Sequence, residues 1–350
     1  MTKTNNLAPV RLPAEWEPAQ GVLLAWPHRG TDWAYMLPEV ENCYDALVRA
    51  VARHAVAVVV APDTSELRRR FADIDPSRLI LADVPTDDTW TRDYGPISTL
   101  DSAGMPVIND YRFNAWGGKF GSDSDNAATR RLYDRGLLRG TYRDCLDFVL
   151  EGGGIETDGR GTLMTTDSVM LTATRNGATR ADVERRLGRD LGVSHFLWLD
   201  SGRLEGDDTD GHIDTLARLA PGDTIIYTAA RAADESDAQS ASLEAMLGCL
   251  RGFRTPDGQP YNLVELPLPD PIYDEDGERL PATYANYLVL NDAVLLPVYG
   301  QPRKDLLAEM TLKIVFPDHE IERVDCRALI RQHGSLHCST MQLLPDTLPI

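Results

Sequence analysis

The feature that most constrains this chain is an order of elements that recurs along it: two short apolar runs joined by a turn, then a helical pattern, then another apolar run. The clearest copy has Tyr287 to Leu290 and Ala293 to Val298 around Asn291-Asp292, a turn dipeptide suited to a hairpin. A helix capped by Asp305 and stopping near Pro317 follows, and Glu320 to Val324 closes the unit. Gly154 to Thr157, Asp158-Gly159, Thr162 to Thr165, a helix over Thr179 to Leu191 and Ser194 to Leu199 repeat that order. A third copy runs from His212 to Leu219 through Pro221-Gly222, Thr224 to Thr228, a helix over Ser242 to Arg251, and Asn262 to Leu266. Two fainter copies fill the first part of the chain, with helices near Val40 to His54 and Ala127 to Leu138. The pattern predicts a repeated α/β architecture with a period of roughly 60 residues, longer than common solenoid repeats. No long Gly/Ser linker divides it, so one domain over residues 1–350 is expected.

Charge and cysteine usage narrow the function classes. With 35 basic against 54 acidic residues the formal charge is -19. Such a field repels nucleic acid and anionic membranes and attracts small cations. Met1 to Pro9 is polar and no uninterrupted apolar span of about 20 residues occurs, which predicts a cytoplasmic protein. Cys43, Cys145, Cys249, Cys326 and Cys338 are scattered, odd in number and without C-x-x-C spacing, so free thiols are expected rather than disulfides or a zinc ribbon.

Five segments pack polar residues among glycines and aromatics: Asp88 to Pro96, Phe113 to Gly118, Glu151 to Glu156, Asp210 to Asp214 and Gly334 to Thr340. Cys338 follows His337 and precedes two hydroxyl residues in an expected loop, which suits an accessible thiolate, whereas the other cysteines fall in helix or strand patterns and read as packing. His212 and Asp214 alternate with Ile213, so on a strand both face one side and pair for acid/base work. A histidine merely hydrogen-bonded on a solvated strand would show the same spacing. Asp93 read alone is a turn carboxylate. The glycines at 152 to 154 lack the Lys-Ser/Thr of a phosphate loop and read as close backbone approach beside a site, with Glu151 available to a cation. Trp90 and Trp116 either wall a pocket for a planar cation or are core.

Taken in order, these segments resemble the agmatine deiminase and bacterial peptidylarginine deiminase family of the guanidino-group-modifying superfamily. The resemblance runs from Leu12-Pro13-Ala14-Glu15-Trp16-Glu17-Pro18 and Leu24-Ala25-Trp26-Pro27-His28 to Gln342. It implies a five-bladed α/β-propeller and a deiminase of a small cationic guanidino substrate, with no cofactor and no metal. Association into a homo-oligomer is compatible with it. By this resemblance Cys338 attacks the guanidinium carbon and His212 serves as acid and base. Asp93 and Asp214 would grip the guanidinium nitrogens, and Asn286, in Tyr-Ala-Asn-Tyr, would be an active-site amide. Trp90, Trp116 and Glu151 complete the expected substrate contacts, Glu151 toward a distal amine. Two departures bear on those distal contacts: Glu156 stands where many relatives have histidine, and the approach to Cys338 has one glycine where they often have three.

Other readings fit some of the same residues. Asp210-Gly-His212-Ile-Asp214 also has an Asp-x-His-x-Asp spacing that suits manganese in a ureohydrolase, although no second acidic ligand segment accompanies it. As an EF-hand it fails, because its first and twelfth positions are Gly206 and Ala217. Deimination of peptidylarginine and a non-catalytic propeller that binds a partner are the remaining alternatives.

Overall fold

The computed structural model describes residues 9–230 and 238–350; of the polar opening Met1 to Pro9, all but Pro9 lies outside the described residues. Among the described residues, strands form five separate sheets. Three share one construction: an antiparallel hairpin whose second strand is followed by a helix and then by a strand returning parallel to it. They are Ile155–Thr157 with Thr162–Thr166 and His195–Leu199; Ala217–Ala220 with Thr224–Thr228 and Asn262–Leu266; and Leu288–Leu290 with Ala293–Val298 and Glu320–Asp325. A fourth sheet adds Val10–Arg11 to the edge of Ile97–Asp101, Pro106–Arg112 and Thr141–Val149. The fifth joins the ends of the chain, since Met341–Leu343 pairs antiparallel with Gly21–Ala25, which continues in parallel to Val56–Ala61 and Leu79–Asp83.

Local chemistry accounts for these elements. Val56–Ala61 is apolar and buried at every position, as a parallel strand covered on both faces must be. The helix Leu37–His54 starts with Pro38 and buries Val40, Cys43, Tyr44, Leu47, Val48 and Val51, one stripe at helical spacing. Thr179 and Asp182 form a reciprocal capping box at the head of Arg180–Leu191.

Several sequence boundaries move. The last helix starts at Pro302, so Asp305 lies inside it and reaches back to accept from the Gln301 and Tyr299 amides and the Tyr284 hydroxyl. The helix expected over Ala127 to Leu138 is Ala128–Asp134, ending before Gly136. His212 and Asp214 are not on a strand: Ile213–Thr215 is a 3-10 turn, and the strand begins at Ala217. Ile213 nevertheless enters an apolar cluster with Met164, Leu197, Leu243 and Met246, so its polar neighbours are directed elsewhere. Among the described residues no helix is long and apolar enough to cross a membrane.

Candidate active site

Each passage from one sheet to the next ends in a polar turn just before the new sheet's first or second strand. Thr91–Tyr94 carries Asp93; Gly152–Gly154 follows Glu151; Ile213–Thr215 follows His212; Asn286 precedes Leu288; Cys338 precedes Met341. The first three turns pack on one another, and the Cys338 carbonyl accepts from the Arg92 amide at 3.1 Å. Five sequence-distant segments thereby meet.

A narrow cavity opens on this meeting point. Asp93 and Cys338 line it together with Trp90, Trp116 and Phe120, and Asp32, Asp88, Asp208, Thr209, Gln332 and His333 complete its wall. His212 and Asp214 stand one layer deeper: His212 Nδ1 is 3.6 Å from Asp93 Oδ1, and Asp214 Oδ2 is 3.8 Å from Cys338 Sγ, close enough to accept from the thiol. Neither His212 Nδ1 nor Asp214 Oδ1 has a hydrogen-bond partner in the protein, although both are buried. The backbone that brings them together needs glycine. A Cβ on Gly153 would come within 2.6 Å of His212 Nδ1, 2.9 Å of Asp93 Oδ1 and 3.1 Å of Asp214 Oδ2, so the close approach expected of the triplet is what the fold uses. Left-handed backbone at Ala115, Trp116, Asp210 and His333 clusters around the same cavity, as strain held in place by a site does.

The electrostatics follow from burial among carboxylates. Burial alone would pull the His212 imidazole down, but Asp93, the hydrogen bond to Glu151 and Asp214 outweigh it and hold it up to about 10. Burial raises Asp93 to about 6 against the pull of His212. The Cys338 thiol, only 4% exposed, is pushed well above the ordinary thiol range by burial and then by Asp214 and Asp93. The accessible thiolate expected from sequence is therefore corrected: the loop is packed, and burial among carboxylates opposes ionisation of the thiol.

Because His212 is held up, its charge stabilises the fold fully below the unfolded value of about 6.5, and that contribution fades as pH rises toward 10. In an NMR titration the His212 ring should remain protonated through neutrality, with a midpoint above about 8. A midpoint at the ordinary histidine value would refute this arrangement.

The remaining expected residues divide. Trp90 and Trp116 both line the cavity, but Trp116 is committed through its indole N–H, which donates to Asp93 Oδ2 at 3.0 Å, and Trp90 packs against Trp33. A Cβ on Gly334 would lie 2.3 Å from the Trp90 ring, which is why glycine stands there. Glu151 does not face a distal amine. It accepts from His212 Nε2 at 2.7 Å and from Arg175 Nε at 2.9 Å, because a fully buried carboxylate must take the nearest donors. Asn286 is likewise committed to the protein: its Oδ1 accepts from the Cys338 amide at 3.2 Å, so it holds the nucleophile's loop. Glu156 lies outside the cavity and accepts from Arg218 Nε at 2.5 Å, whereas Gln332 and His333, at the glycine-poor approach to Cys338, do line it.

The Asp210, His212 and Asp214 side chains do not converge as metal ligands would. Asp210 pairs with Arg175 and Lys119, His212 with Glu151, and Asp214 with His337. Sequence reasoning missed Asp88, Asp208, Arg175, His337 and Arg218. Asp88 and Asp208 sat within quoted segments or beside one, but nothing in spacing distinguishes a wall carboxylate from a turn residue. Asp88 is raised to about 7 by burial.

Over residues 11–344 the sequence matches the family described as Porphyromonas-type peptidyl-arginine deiminase. It is 32% identical to the agmatine deiminase of Pseudomonas aeruginosa (strain LESB58), covering 97% of each chain. The structure is similar to that of a Porphyromonas gingivalis protein provisionally named an arginine deiminase, at TM-score 0.89 and 47% identity over 97% of this chain and 99% of that one. It is also similar to a C. jejuni agmatine deiminase solved with substrate bound in a cysteine-to-serine form, at TM-score 0.89 and 32% identity over 99% and 100%.

Proposed function

The chain belongs to the Porphyromonas-type peptidyl-arginine deiminase family, and from that we propose that it hydrolyses the guanidinium of agmatine to N-carbamoylputrescine and ammonia, a step toward putrescine. The relatives' names divide between agmatine, arginine and peptidylarginine, so the choice rests on the cavity wall. Its lining includes Asp32, Asp88, Asp93 and Asp208 and, among the described residues, no lysine or arginine. Lys119, beside Phe120, is tied to the Asp208 carbonyl and the Asp210 carboxylate. Such a wall favours a ligand cationic at both ends, as agmatine is, and repels the α-carboxylate of free arginine.

The chemistry needs only the chain's own groups. A guanidinium held by Asp93 and Asp214 brings positive charge to Cys338, favouring its thiolate. Attack forms a bond from Sγ to the guanidinium carbon. The His212 imidazolium gives its proton to one amino group as that C–N bond breaks, releasing ammonia and leaving an S-alkylthiouronium on Cys338. The neutral imidazole then takes a proton from water as the oxygen adds to the carbon. Breaking of the C–S bond expels the thiolate, which takes the adduct's hydroxyl proton as the carbonyl forms, and the proton that the thiol lost to solvent on ionising converts the ammonia to ammonium.

The five sheets, with the last strand closing the first sheet, support reading the fold as one catalytic domain shaped as a five-bladed α/β-propeller. A cytoplasmic location accords with small-molecule chemistry and free thiols. Purified protein incubated with agmatine and excess chelator should yield N-carbamoylputrescine and ammonia, with kcat/KM for arginine lower by about 10² or more. Urea with putrescine, or preference for arginyl peptides, would overturn the assignment.

A further inference from the structure

The reaction leaves unused a buried imidazole on the other side of Asp214. His337, one residue before the nucleophile, is 1% exposed. Its Nδ1 lies 2.8 Å from Asp214 Oδ2 and its Nε2 2.6 Å from Glu15 Oε2. Arg218 backs this pair, donating from Nη2 to Glu15 Oε1 at 2.9 Å and from Nη1 to the Ala285 and Tyr287 carbonyls. Glu15 and Arg218 come from segments more than a hundred residues away, so the anchoring is tertiary and not a by-product of the local turn. The oxygen that His337 holds is the one 3.8 Å from Cys338 Sγ, and the other, Oδ1, has no partner in the protein.

We propose that His337 is a positioning residue for the reaction: donating from Nδ1 to Asp214 Oδ2, it fixes the rotation of that carboxylate so that Oδ1 stays free for a substrate N–H. This rests on Asp214 gripping the guanidinium, as proposed above. The physical reason is that the terminal torsion of an aspartate is broad and roughly two-fold, so an unheld carboxylate turns. His337 also draws negative charge away from the oxygen facing the nucleophile, easing formation of the thiolate beside it. Glu15 fixes the imidazole from its far edge, in the way that outer hydrogen-bond partners orient groups that bind directly.

The test compares three substitutions in steady-state kinetics on agmatine. Asparagine puts an amide nitrogen near the place of Nδ1, glutamine near that of Nε2, and alanine supplies neither. His337→Ala and His337→Gln should each lower kcat/KM on the order of 10²-fold, with a fall in kcat as well as a rise in KM, while His337→Asn stays within about tenfold of wild type. A purely structural histidine would rank the three by thermal midpoint instead, so equal kinetics for the asparagine and glutamine variants, or undiminished activity of His337→Ala, would overturn the proposal. If His337→Ala does not fold, Glu15→Gln keeps the shape and should still lower kcat/KM about tenfold; no change there is equally fatal. Wild type is run beside them: if it turns over no guanidine, the reading beneath the proposal fails and takes the proposal with it. Active wild type with indifferent variants removes only the role of His337.

Discussion

Cys338→Ala is expected to lower kcat on agmatine by at least about 10⁴-fold, as removal of a nucleophile that works with a paired base does. The fold should survive, because Cys338 is a small side chain and the hydrogen bonds that hold its loop run through the backbone: its amide to Asn286 Oδ1 and its carbonyl to the Arg92 amide. Alanine keeps both. The measurement is product formation at high enzyme concentration, with thermal unfolding as the control. Near wild-type turnover would sink covalent catalysis at Cys338, whatever became of the substrate assignment. The packed surroundings sharpen the expectation, because no other described cysteine approaches the cavity: Cys43, Cys145, Cys249 and Cys326 sit in or beside the outer helices and strands.

The largest effect on stability is expected at Arg218. Its guanidinium is fully buried and donates to Glu15, Glu156 and two carbonyls, and burial of the charge is outweighed by Glu15 and Glu156, so it stays firmly protonated. Arg218→Met would leave Glu156 and the two carbonyls desolvated without their cation, and Glu15 with only His337, Arg92 and the Val289 amide, costing about 3–5 kcal/mol. For a chain of this length that corresponds to a thermal midpoint lower by about 4–7 °C. Adding Glu156→Gln to Arg218→Met should recover part of the loss by removing one orphaned charge, since the two are in contact and their effects are not additive. A variant as stable as wild type would mean that solvent or rearrangement satisfies the carboxylates, and the buried network would then lose its claim to hold Glu15 and His337 in place.

Much of the site was legible as residue types in order. A guanidinium demands carboxylates and a soft nucleophile, and the Asp93, His212, Asp214 and Cys338 segments announce those groups through glycines, aromatics and resemblance. The same reasoning reserved Glu151 for a substrate amine and left the role of Glu156 open. Each is a polar residue in a suggestive segment, and sequence says nothing about which donor a buried oxygen will reach. Glu151 finds Arg175, 24 positions on; Glu156 finds Arg218, 62 positions on. His212 and Asp214 were expected to pair through strand alternation; they lie instead at a 3-10 turn whose Ile213 belongs to the apolar core, and each takes another partner, Glu151 and His337.

What the sequence by itself determined is the repeating alternation of hairpin, helix and strand, because hydrophobic period and turn chemistry are local properties of the chain. It also determined the inventory of reactive groups. Only the tertiary structure decided that the chain's last strand pairs with Gly21–Ala25, that the inter-sheet turns carrying Asp93 and Cys338 share one cavity, and that the Cys338 thiol is packed among carboxylates. Those outcomes depend on contacts between residues more than three hundred positions apart, whose proximity is set by the burial of the sheets together and by the need of every buried charge to find a partner.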